Sequence, residues 1–265
     1  MPMPPSDRRA PRAALPPEHT SRVPAEIREF VERQLRAVVL DGPFPCLGAR
    51  SAFRDGSYLF NVLPDLDDPS AAAHVLADLR HFAEVRLRMG DLYTYVVCFL
   101  EPRAVTDEAA WDRRLWAFLQ SLHDLDDAPW DGRCATDPHD ADFALSLAGL
   151  GQLVVTLYPG AWRYARRFAW TTLIFNPPEQ DRANFPTDEQ FLRFQNKIRE
   201  RDARLQGEVN PSLPSTLDDP QAPGFSGARV DPDSWRCPLH VHTDTGRTRD
   251  ARAPHGQADR QPPPR

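Results

Sequence analysis

Lysine is nearly missing from this sequence: Lys197 is the only lysine, and the rest of the 32 basic side chains are arginines. The bias reads as codon composition, with selection for anion-binding guanidinium groups as the alternative. Cysteine is also scarce, with four in 265 residues, at positions 46, 98, 134 and 237 and with no C-x-x-C pair. That spacing argues against a structural zinc site and predicts free thiols in place of a disulfide frame. No apolar segment of signal-peptide type opens the chain, and no run approaches the roughly 18–20 apolar residues of a membrane span. A cytoplasmic protein without membrane contact is therefore expected. A positive excess is lacking too. The formal net charge of −6 argues against nucleic acid as a partner, because that needs a basic footprint. Neither a G-x-G-x-x-G nor a P-loop pattern occurs, so the common phosphate-cradling nucleotide sites are not indicated.

What is present reads as one α/β-type (α+β) domain, a mixed, mostly antiparallel sheet with helices packed on it. The 41% apolar content is enough for a real core. Residues 1–22 and 244–265 are rich in Pro, Arg and polar residues and are expected to be disordered tails. The remaining 23–243 is expected to form the single domain.

The predicted order is α β α β α β β α β α. Pro24 opens a helix with Ile27, Phe30, Val31, Leu35 and Val38 as its apolar positions, stopped by Asp41-Gly42-Pro43. The following FPCLGARSAF stretch reads as a loop or tight turn. Residues 57–63 predict a strand, and Asp68-Pro69-Ser70 a helix start. The β-branched and aromatic stretch 92–101 predicts a central strand. Thr106 is the predicted cap of a helix ending near His123, with Trp111 and Trp116 as packing residues along with Trp130 in the loop beyond. Strands at 142–148 and 151–158 form a predicted hairpin, followed by a short Arg-rich helix over 160–167 and a strand at 170–175. Thr187 and Gln190 form a capping box for a last helix reaching about residue 206.

Chemistry is expected first at Cys46. It follows Pro45 in a segment containing Gly48, whose missing side chain permits close approach. Arg50 and Arg54 lie close in sequence and would favour a thiolate. A thiolate on a tight loop is what haem iron takes from an axial cysteine, and Cys-Leu-Gly echoes the ligand loop of haem-thiolate monooxygenases. The bland reading is a buried cysteine acting as a small hydrophobe. His123 stands near a helix C-terminus beside Asp124, either as a cap or as an oriented imidazole. His81 reads as filler. Cys237, His240 and His242 form a C-x-x-H-x-H pattern with weak metal potential. Arg163, Arg166 and Arg167 would share one side of a helix and could hold anionic groups. The stretch IRERDARLQ alternates charge like an exposed helix.

Several ordered segments together carry a resemblance: FPCLGARSAFRDGSYLF, LQSLHDLD, YPGAWRYARRF, LIFNPPEQ, IRERDARLQGEVNPSL and WRCP. Over about residues 24–240 the chain resembles the YqcI/YcgG family. Some members of that family are haem-dependent enzymes that N-hydroxylate guanidine or amine groups of small, amino-acid-type molecules in natural-product pathways. The resemblance implies haem as cofactor and N-oxygenation as activity. It departs at two points, with Tyr158 and Pro178 standing where members often carry histidine. The implied iron ligand is Cys46, with His123, Tyr158 and Cys237 open as alternatives and catalytic roles expected of Cys46, His123 and Tyr158. Gly48, Arg50, Arg54, Arg163 and Arg166 would surround the cofactor, the arginines at its propionates. Arg199, Arg201 and Asp202 match the family pattern, and Asp91, Glu179 and Asp202 are candidate carboxylates for a guanidinium.

The expected activity is a monooxygenase-type oxidoreductase on a small-molecule substrate, using an external reductase or ferredoxin because no flavin or nicotinamide motif is visible. Alternatives are a non-catalytic haem-binding or haem-sensing protein, a non-haem small-molecule or protein-binding domain, and a thiol-based redox enzyme. The pattern sets no oligomeric state.

Overall fold

A computed structural model describes residues 23–242 except 102–104, 106, 212–215, 217 and 232–233. The expectations for the two tails fall outside the described residues, as does Thr106, but the cap of the helix at Glu108–Leu125 is Asp107, whose carboxylate accepts the Ala109 and Ala110 N–H groups. Six α-helices are described: α1 (Ala25–Leu40), α2 (Leu47–Asp55), α3 (Ala71–Val85), α4 (Glu108–Leu125), α5 (Glu179–Asn184) and α6 (Asp188–Gln206). The strands are β1 (Tyr58–Leu63), β2 (Thr94–Phe99), β3 (Leu145–Leu147), β4 (Leu150–Leu157) and β5 (Thr171–Asn176).

The five strands form one sheet in the order β1-β2-β5-β4-β3. β1 and β2 run parallel, as the α3 crossover between them requires. Every other pairing is antiparallel, with Leu173 of β5 set between Val97 of β2 and Thr156 of β4. The chain is thus a single α+β domain built on a mixed sheet. β2 is buried along its whole length, which matches its apolar composition on both faces.

Alternation along the strands divides the interior in two. Leu59, Tyr95, Val97, Phe99, Val154, Leu173 and Phe175 face α3 and α4 and form the larger core. Val62, Val96, Cys98 and Leu157 face the other way and pack with Val31, Leu35 and Val39 of α1 and Phe53 of α2. α6 lies on this second side, yet only Asp202 among its residues is buried. Its inner positions Phe191, Phe194, Gln195, Ile198 and Arg199 recur at helical spacing and line a cavity in place of a packed seam.

Four local expectations are corrected. FPCLGARSAF is not a loop. Cys46 caps α2, and Gly56 closes it in the left-handed conformation at φ 74°. Pro45 and Gly48 resemble turn residues, but a proline ahead of the cap is compatible with a helix start. The Arg-rich segment forms only one 3-10 turn, Tyr164–Arg166. α5 follows Asn176-Pro177-Pro178 directly, where the two prolines read only as a stop. In α1 the buried side is Val31, Leu35 and Val39, whereas Ile27, Phe30 and Val38 are exposed. The β3–β4 hairpin turns through Ala148 and Gly149, both at positive φ, in the twist sense such hairpins favour. The Asp126 carboxylate accepts the Ala148 N–H at 2.6 Å and helps hold that turn.

Candidate functional site

Between the second sheet face, α2 and α6 lies a cavity of about 310 Å3. Val155 and Leu157 of β4 and Ile174 of β5 supply its apolar floor. Phe194 and Ile198 of α6 form the opposite wall. Apolar surface predominates, and polar side chains including Arg166, Asn176, Gln180, Asp181, Arg199 and Asp202 interrupt it.

Cys46 enters at the N-terminus of α2. Its sulfur accepts the Ala49 N–H at 3.4 Å, and the position is half-buried. Burial pushes the thiol above its ordinary pKa, while the Ala49 and Gly48 N–H groups pull the other way. The resting group is therefore a neutral thiol, in a setting whose N–H donors suit a sulfur anion once a cation displaces the proton. Gly48 faces the Phe194 ring, and a methyl group there would stand 3.7 Å from the ring edge, an ordinary contact.

Arg166 reaches the same cavity and donates to Thr156 O at 3.1 Å. Burial pushes its pKa down, while the Tyr158 phenol and the Asp202 carboxylate pull it up. Arg199 also lines the cavity. The four arginines expected around a cofactor do not gather. Arg50 donates to Val39 O and Gly42 O, at 2.9 and 3.0 Å, tying α2 to the end of α1. Arg54 is exposed in the last turn of α2. Arg163 is buried in an ion pair with Asp202 and also donates to Glu208 O. Arg167 packs over the Tyr164 ring at 4.5 Å. A single 3-10 turn cannot hold these side chains on one side as a longer helix would.

The sequence reading missed Asp181. It sits in α5 and lines the thiol cavity together with a second, adjoining one. Burial alone raises its carboxyl pKa to about 6. Its carboxylate makes no hydrogen bond or ion pair with any described residue. A desolvated, unpartnered carboxylate in a cleft is a functional-site signal. The available sequence sign was Pro-Pro followed by Glu-Gln-Asp, an acidic first helical turn.

The other candidates stand apart. His123 lies on α4, among the groups of the opposite sheet face. Its Nε2 accepts the His242 N–H at 2.8 Å, and its ring stacks on His242 at 5.5 Å. Burial first, then His242, lowers its pKa. Tyr158 packs against Trp111 and donates to Glu108 Oε1 at 3.2 Å, with burial holding its proton on. Cys237 packs against the larger core, its pKa pushed up to about 12 by burial. Among the described residues, no group of three or more His, Cys, Asp or Glu side chains could hold a metal ion. Of the candidate carboxylates, Asp91 is exposed and Glu179 is bound by Arg86 and Arg133. Asp202 lines the thiol cavity with Arg163 as its partner. IRERDARLQ is more than an exposed helix face, since Arg201 donates to Phe44 O and Pro45 O and so holds the segment bearing Cys46.

Fold and site together define an α+β domain with a cavity that carries a thiol and a carboxylate without a partner among the described residues. The sequence matches the YqcI/YcgG family model over residues 35–240, and the chain belongs to that family. No curated protein and no solved structure matches it. No described helix is long and apolar enough to cross a membrane.

Proposed function

We propose that this protein is a haem-dependent N-oxygenase of a small guanidine- or amine-bearing substrate. The observation that carries the reading is that the Cys46 thiol and the Asp181 carboxylate line one largely apolar cavity. The residues present fit a haem. The apolar floor and the α6 wall would contact the macrocycle, the N–H-supported Cys46 sulfur would hold the iron, and Arg166 and Arg199 would face the propionates.

When bound, the haem supplies an iron at which dioxygen is reduced, with two electrons and two protons drawn from an external reductase or ferredoxin-type donor. One oxygen atom would be inserted into an N–H bond of the substrate to give N–OH, and the other would leave as water, taking up the two electrons and two protons supplied. Asp181 holds the cationic nitrogen group by charge and hydrogen bonding. It would also take up the proton that the cationic nitrogen group gives up on exposing its lone pair, since a pKa of about 6 suits proton uptake near neutral pH. Leu157, Ile174 and Ile198 give the site apolar walls.

The test is expression with a haem precursor, followed by the absorption spectrum of the reduced, carbon monoxide-bound protein. The expected result is the long-wavelength Soret band of a thiolate-ligated haem, lost in Cys46→Ala. A colourless protein would end the haem reading. A Cys46→Ala protein with an unchanged haem spectrum would remove Cys46 as ligand and return His123, Tyr158 and Cys237 to consideration. Haem binding with no substrate-dependent oxygen uptake would identify a haem-binding or haem-sensing protein.

A further inference from the structure

The second cavity, about 470 Å3, adjoins the first and shares Leu153, Asp181, Phe191, Gln195 and Gln221 with it. Its lining carries five carboxylates, Asp131, Asp142, Glu179, Asp181 and Asp188, against two guanidinium groups, Arg133 and Arg182. Both guanidinium groups are already matched. Arg133 forks onto Asp131, with Nε to Oδ1 at 2.9 Å and Nη2 to Oδ2 at 2.8 Å, and its Nη1 donates to Glu179 at 2.6 Å. Arg182 pairs with Asp142 at 3.1 Å. Glu179 is further held by Arg86 and by the Tyr93 hydroxyl at 3.0 Å. Asp181, partly buried between the two cavities, and Asp188, exposed at the start of α6, are the lining carboxylates left without a partner among the described residues; of the two only Asp181 is desolvated by its surroundings.

An entering anion meets net negative charge and no open guanidinium in this chamber. An entering cation meets a desolvated carboxylate, where a charge pair is stronger than in water. Leu153, Phe185 and Phe191 give a methylene chain an apolar surface to lie on. Arg166 and Arg199, the cations that could hold an α-carboxylate, line only the thiol chamber.

We infer that this second chamber selects an organic cation with no carboxylate of its own, an alkylguanidine or alkyl diamine, anchored on Asp181. The substrate class thereby narrows from amino acids to their decarboxylated counterparts. As a statement about substrate it rests on the N-oxygenase reading; as a statement about binding it does not.

Agmatine and arginine are the informative pair, because they share the guanidinium and the chain and differ at the carboxylate. Each is titrated calorimetrically into the full chain at pH 8 with no haem added. Agmatine is expected to bind at least ~10-fold more tightly than arginine, and Asp181→Asn to weaken agmatine by ~10-fold or more, the equivalent of one modest charge interaction. Circular dichroism establishes that the variant is folded. Arginine binding as well as agmatine, no agmatine binding, or an unweakened Asp181→Asn would each overturn the inference. The haem spectrum is read separately. A haem band without agmatine selection removes only this inference, and agmatine selection without a haem band removes only the N-oxygenase reading.

Discussion

The Cys46 sulfur accepts the Ala49 N–H at 3.4 Å, so the residue that starts α2 is also the thiol that faces the cavity. Burial outweighs this donor and raises the pKa, as it also does for Cys98 and Cys237, to about 12 each, and for Cys134, to about 11. Thiolate is the reactive form, and a raised pKa keeps its fraction small until the pH is well alkaline. Native protein treated with iodoacetamide at pH 6 is expected to show negligible labelling at Cys46 by peptide mapping, rising with pH. Fast labelling at pH 6 would instead identify an activated thiolate and support the thiol-redox alternative.

Asp181 predicts a substitution that stabilises. Its carboxyl titrates at about 6 in the fold against 3.8 ordinarily. Between those values the folded state holds more protons than the unfolded one, so stability falls as pH rises and stays reduced above about 6. A shift of this size corresponds to a penalty on the order of 3 kcal/mol at neutral pH. Asp181→Asn should therefore unfold at higher denaturant than the wild type at pH 8, with the difference shrinking towards pH 4. Equal stability at both pH values would mean that the carboxylate is solvated or paired. A residue that lowers stability while serving a site is a common trade.

Two glycines on opposite sides of the cavity region should respond differently to alanine. At Gly48, inside α2, the added methyl meets Phe194 at 3.7 Å, so helix propensity decides and the variant should gain up to about 1 kcal/mol. At Gly151 the methyl would lie 2.3 Å from the Cys134 sulfur and 3.2 Å from Ala144 Cβ. Overpacking there should destabilise by about 1–3 kcal/mol. Urea midpoints at constant m-value measure both; a damaging Gly48→Ala would show that Gly48 leaves room for something other than Phe194.

The Arg163–Asp202 pair is buried, with side chains 2% and 5% exposed, and Arg163 Nε and Nη1 make no hydrogen bond. Removing one partner strands a charge, so Arg163→Met or Asp202→Leu alone should cost about 3–5 kcal/mol. The double variant should recover most of that loss, because an apolar pair of similar volume has no charge to desolvate. Additive losses in thermal unfolding would mean that the two residues act independently.

Much of the fold was legible in the sequence because its signals are local. The apolar run at 94–99 and the Thr187 cap of α6 are written in consecutive residues. α5 was not, since Pro177-Pro178 serves a strand end and a helix start equally well. The cavity's Cys46 was singled out from its neighbours in sequence, whereas Arg50 and Arg54, chosen on the same grounds, are turned to backbone carbonyls and to solvent.

By itself the sequence determined α1, α3, α4 and α6, the strands and the mixed, mostly antiparallel character of the sheet, because side-chain period and capping act over a few residues. Only the tertiary structure decided which charges remain open. Whether an arginine or a carboxylate is free depends on what the rest of the chain brings within a few ångströms. Asp202 met Arg163 from 39 positions away, Glu179 met Arg86 from 93 away, and Asp181 met no partner at all among the described residues. Desolvation without a partner is a property of three-dimensional packing, and that property marks Asp181.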